Sequence, residues 1–127
     1  MATTPAFAST VRCALGALSA ADTSRTGTPT NPVTIFTAGS SGSRIDEIDV
    51  VATGTTTSGV VRLWIYNGTT YYLFQEVLVT AITPSVSLAV FSSTLTFNNF
   101  MLPSGYSLRA TTNNAETFTV AAFGGDF

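Results

Sequence analysis

Histidine and lysine are absent from this chain, and cysteine occurs once, as Cys13. The missing histidine removes the side chain most used as a general base near neutral pH and as a metal ligand. The missing lysine removes the Schiff-base amine. A serine or threonine nucleophile would then have to rely on a carboxylate or an amino terminus, so the chain is read as a non-enzyme without a cofactor. One cysteine cannot close an intramolecular disulfide, and a zinc site lacks ligands. Charge is scarce as well, at 9% of residues, against about 25% in a typical soluble domain. All five cations are arginines (Arg12, Arg25, Arg44, Arg62 and Arg109), and the net charge is −2. Nucleic-acid binding rests on clustered cations that release counterions. Scattered arginines argue against it, and equally against a polybasic hold on a membrane. No stretch approaches the ~20 consecutive apolar residues of a membrane-spanning helix. The first residues carry no positively charged run, so no export signal is read and synthesis in a cytosol is expected.

What is present is apolar and hydroxyl. Hydrophobic residues form 45% of the sequence, with nine Phe, four Tyr and one Trp. High hydrophobicity with low charge is the reverse of a disordered composition. A chain of 127 residues is long enough for one domain with a real core. Apolar and polar residues alternate at period two in short segments divided by Gly, Pro, Asn and Thr clusters. That is the pattern of an all-β sandwich or barrel.

Along the chain, residues 1–8 read as an extended N-terminal arm, 9–123 as a single β-sandwich domain and 124–127 as a flexible C-terminal tail. Ser9–Leu18 reads as a strand, with a short helix at Ala14–Ala21 as the competitor. A Pro-containing loop spans Asp22–Pro32, and Val33–Thr37 is a second strand. In Arg44–Ala52 the alternation slips between Ile45 and Ile48, and a β-bulge near Asp46–Glu47 would restore one inward face. Val60–Tyr66 and Tyr71–Thr80 flank Asn67-Gly68, a tight hairpin signal. Val86, Leu88 and Val90 alternate as a further strand, and Leu95 and Phe97 continue after a break at Ser92–Ser93. Asn98–Pro103 reads as a bend, and Tyr106–Thr112 and Thr117–Phe123 as the last strands. About eight antiparallel strands suit two packed sheets of jelly-roll or Greek-key type.

Several residues invite a functional reading. Cys13 is either a small buried hydrophobe or an intermolecular thiol outside the reducing cytosol. Glu47 and Asp49 share a strand face about 7 Å apart, and with Asp46 they supply part of the oxygen set that calcium needs; a solvated edge is the plainer reading. Trp64, Tyr66, Tyr71 and Tyr72 gather near the hairpin, as an interface anchor, a sugar-stacking platform or ordinary cross-strand aromatic pairs. Phe7 and Phe127, near the two ends, are candidates to plug into a neighbour.

Five stretches carry a resemblance: Phe36-Thr-Ala-Gly-Ser-Ser-Gly-Ser-Arg-Ile-Asp, Ala52-Thr-Gly-Thr-Thr-Thr-Ser-Gly-Val-Val-Arg-Leu, Val79-Thr-Ala-Ile-Thr-Pro, Leu102-Pro-Ser-Gly-Tyr-Ser-Leu-Arg-Ala and Ala122-Phe-Gly-Gly-Asp-Phe. Together they resemble small all-β structural proteins of tailed bacteriophages and prophages, whose size and character are similar to capsid decoration (cement) proteins. The resemblance runs from about Phe36 onward and matches no residue-level functional motif. It implies a virion protein on the capsid surface, made in the host cytoplasm. Such a protein binds the major capsid protein, forms a homotrimer and stabilises the head. The alternative it leaves open is a carbohydrate-binding β-sandwich of a head fibre or tail component that contacts the host surface. Neither nucleic acid nor membrane is an expected partner.

Overall fold

The computed structural model describes residues 9–127, so the expected arm lies outside the described residues. Eight strands follow in order: β1 (Thr10–Leu18), β2 (Val33–Thr37), β3 (Ser43–Ala52), β4 (Gly59–Tyr66), β5 (Tyr71–Val79), β6 (Ser92–Leu102), β7 (Ser107–Thr112) and β8 (Phe118–Asp126). The first segment is a strand throughout, and the competing helix at Ala14–Ala21 does not form. One sheet has the order β1-β8-β3-β6 and the other β2-β7-β4-β5. First pairs with last, second with seventh, third with sixth and fourth with fifth, all antiparallel. This is one long hairpin rolled over on itself, the jelly roll. Only the β4–β5 connection stays within a sheet.

The inner faces meet in a core that includes Leu18, Phe36, Ile45, Ile48, Leu63, Leu108 and Phe118. Each such side chain contributes about 1.5–3 kcal/mol by leaving water. The β3 bulge lies where the slipped alternation puts it. Ile45 pairs with Gly124 and Glu47 with Phe123, so Asp46 is the extra residue. Ile45, Ile48 and Val50 are then fully buried, while Asp46 is exposed. At the bulge the two backbones close up. A Cβ on Gly124 would sit 1.8 Å from the Arg44 carbonyl oxygen. In the β4–β5 hairpin Gly68 has φ +99°, and the Asn67 side chain accepts the backbone N–H groups of Thr69 and Thr70.

Three expectations are corrected. Val86–Val90 is not a strand; the segment projects between β5 and β6, with only an isolated bridge between Ser85 and Leu88. Alternation there has no sheet to lie on, and Val86 is fully exposed. Asn98–Pro103 is not a bend, because β6 runs through it to Leu102. The break is absorbed by a bulge in which Phe97, Asn98 and Asn99 stand against the single residue Asp46 of β3. The end of the chain is not a loose tail either. β8 extends to Asp126, and the Phe127 N–H donates to the Gly42 carbonyl at 3.1 Å.

Candidate functional site

The arginines face partners within the chain. Arg62 is 2% exposed. Its guanidinium donates to Glu76 (2.9 Å), to the Asp22 carbonyl (3.0 Å) and to Asn113 Oδ1 (3.1 Å). Glu76 also accepts from Arg25 at 2.9 Å, and the two arginines, Arg25 first, hold its carboxyl below the usual range. Asp22 is itself buried and accepts backbone N–H groups from Ser24, Thr30 and Asn31. Burial pushes its carboxyl up, and those amides, Asn31 foremost, bring it below its ordinary value. The β1–β2 loop is thereby strapped over the outer face of the second sheet.

A second network closes the opposite edge. Asp126 accepts from Ser43 Oγ at 2.5 Å and from Arg12 at 3.0 Å. Both hold it below its ordinary value, Ser43 more strongly. Arg12 also donates to the Thr37 carbonyl at 2.6 Å and lies 4.0 Å from the centroid of Phe36. These pairs are fixed structural contacts of the kind that arginine geometry favours.

The expected aromatic cluster divides. Trp64 is 1% exposed, with its indole N–H donating to Thr111 Oγ1 at 3.1 Å and Tyr71 edge-on at 6.3 Å. It is a packed residue and offers no face to a sugar or a partner. Tyr66 and Tyr71 stack at 4.3 Å. Arg109 lies over Tyr66 and donates to the Tyr71 hydroxyl at 2.8 Å. Tyr72, in contrast, is 57% exposed on the other face of β5, and Phe127 is 42% exposed at the chain end. Phe7 lies outside the described residues. Glu47 and Asp49 do share the outer face of the first sheet. A hydrogen bond with Asp49, then burial and the Asp49 charge, raise the Glu47 carboxyl above its ordinary value. Among the described residues no group of three or more His, Cys, Asp or Glu side chains could hold a metal ion.

Cys13 is exposed, which corrects the buried reading. The reason is the orientation of β1. Arg12, Ala14, Gly16 and Leu18 face inward, and Val11, Cys13, Leu15 and Ala17 face out. The inward Arg12 is neutralised by Asp126, and the inward Gly16 admits the Ile35 side chain, whose Cδ1 would lie 2.4 Å from a Cβ. Val11 is therefore 89% and Leu15 63% exposed. Sequence reasoning saw this alternation without assigning its faces. It also missed two other apolar surfaces. One is the projecting tip with Val86 and Leu88. The other is a groove of about 340 Å³ between the β5 and β6 edges, lined by Ile65, Phe74, Phe97, Phe100 and Met101. In that groove Phe74 and Phe100 are 4.7 Å apart.

Comparison with protein-family models, curated proteins and solved structures finds no match to this chain.

Proposed function

We propose that this chain is a structural virion protein of a tailed bacteriophage, a capsid decoration protein that stabilises the head by binding the major capsid protein. The observation that carries the reading is how the surface is divided between charge and apolar side chains. Arg12, Arg25, Arg44 and Arg62 are in ion pairs within the chain, and Arg109 is engaged by two tyrosines. Val11, Leu15, Leu78, Val86 and Leu88 are all more than half exposed. Val11 and Leu15 lie on the β1 stripe and Val86 and Leu88 on the projecting tip, two separate apolar surfaces, and exposed apolar patches mark protein contact surfaces. A rigid jelly roll strapped by internal ion pairs suits a part that braces its neighbours. The resemblance to phage structural proteins supplies the identity of the partner, since fold by itself does not set function.

The test is co-sedimentation with heads assembled from the major capsid protein of the same phage genome. The expected result is saturable binding that raises the melting temperature of the heads. Heads that pellet without the protein, and melt unchanged in its presence, would refute the proposal.

A further inference from the structure

The four sheet edges are not equivalent. β2 is five residues long and its register shifts between Thr34 and Phe36. The pairing of β5 shifts opposite Leu63 and Trp64, and that of β6 opposite Ile45 and Glu47. Bulges and short length are ordinary protections of an exposed edge against further strands. β1 has neither. It holds an unbroken register of nine residues against β8, from Thr10 to Leu18. Lysine, the commonest edge guard, is absent from the chain. The one charge of the strand, Arg12, is turned inward to Asp126 and the Thr37 carbonyl. Among the described residues, β1 leaves outside a run of backbone hydrogen-bonding groups beside an uncharged stripe of Val11, Cys13, Leu15 and Ala17.

An edge of this kind is completed by another strand, through main-chain hydrogen bonds first and side-chain pockets second. We propose that the occupant is β1 of a second copy of this chain, paired antiparallel about a twofold axis at Ala14. The two four-stranded sheets then join into one. An isologous contact requires a surface that fits itself, and an uncharged stripe meets its own copy without like-charge repulsion. A net charge of −2 per chain adds little opposition. Centring on Ala14 uses the whole strand: Thr10 faces Leu18 of the second copy, Val11 faces Ala17 and Cys13 faces Leu15.

The proposal stands apart from capsid docking, because its test needs no capsid. Light scattering on the full chain at tens of micromolar should give the mass of a dimer. Leu15→Lys and Val11→Lys each place a charge on the stripe at an exposed position, and should give a monomer with an unchanged far-UV spectrum. A short bis-maleimide, which adds one Cys13 thiol to each of its ends, should join the two Cys13 residues, which lie diagonally at roughly 7–8 Å, in the parent and not in Leu15→Lys. A parent that is monomeric overturns the proposal. So does a dimer or trimer whose mass is unchanged in both lysine variants; a trimer would favour the threefold association that the resemblance implies.

Discussion

Single residues carry an unusual share of this fold's order because charge is so scarce. Arg62 ties the β1–β2 loop, the β4–β5 pair and Asn113 together from a buried position. Arg62→Met keeps the volume but leaves the Asp22 carbonyl and Asn113 without their donor. The expected loss is about 2–4 kcal/mol in urea unfolding, the range for breaking a buried, hydrogen-bonded charge. The Glu47–Asp49 pair acts in the opposite sense. Glu47 binds its proton more tightly in the folded state than its ordinary value of 4.5 implies. Its contribution is therefore favourable below that value and is lost as pH rises through the raised one. Asp49 Oδ1 is also buried without a donor, and a Gln amide at position 47 would offer it one. Glu47→Gln should melt above the parent at pH 7, and the gap should shrink on acidification below 4.5. An equal gap at both pH values would mean that the pair does not titrate as described.

The bulges are the elements that decide which side chains meet. The β3 bulge puts Asp46 outside and lets Ile45 and Ile48 share the core. It also presses the Arg44 carbonyl against Gly124. Gly124→Ala should consequently destabilise by roughly 3 kcal/mol or prevent folding, since neither partner at this contact is a movable side-chain end. Thermal melts of the variant check this. The exposed tip at residues 85–89 is the converse case, a segment that packs little. Val86→Ser there should change stability by less than about 0.5 kcal/mol, and chemical denaturation would reveal any hidden packing role. The bulge near Asp46–Glu47 and the Asn67-Gly68 hairpin were both legible in the sequence, because each has a local signal. The Val86–Val90 alternation looked like a strand for the same local reason. It failed because alternation describes a surface that fits a sheet, and here no sheet lies beside it. The bend read at Asn98–Pro103 is not formed; β6 runs through it with a bulge at Phe97–Asn99, and pairing with β3 resumes at Phe100.

At the scale of the whole molecule, the first and last strands are locked together. Arg12 and Asp126, 114 residues apart, meet at 3.0 Å, and Ser43 completes the joint. Three carboxylates, Asp22, Glu76 and Asp126, lie below their ordinary values of 3.8, 4.5 and 3.8. A depressed carboxylate contributes stability that is present above its unfolded value and lost as pH falls through its folded one. Stability should thus hold on the acid side until about pH 4–5 and then fall, with Asp126→Asn flattening part of that limb in acid titrations followed by circular dichroism. The sequence by itself determined the all-β class, most strand positions, the β3 bulge and the hairpin, because period-two patterning and turn chemistry are local. Tertiary structure alone decided that Trp64 is buried, that Asp126 anchors the end of β8, and that β1 turns Arg12 and Gly16 inward and Val11, Cys13 and Leu15 outward. A strand's alternation defines two faces without ranking them. The ranking came from Phe36, Ile35 and Asp126, which reach β1 only after the hairpin has rolled up.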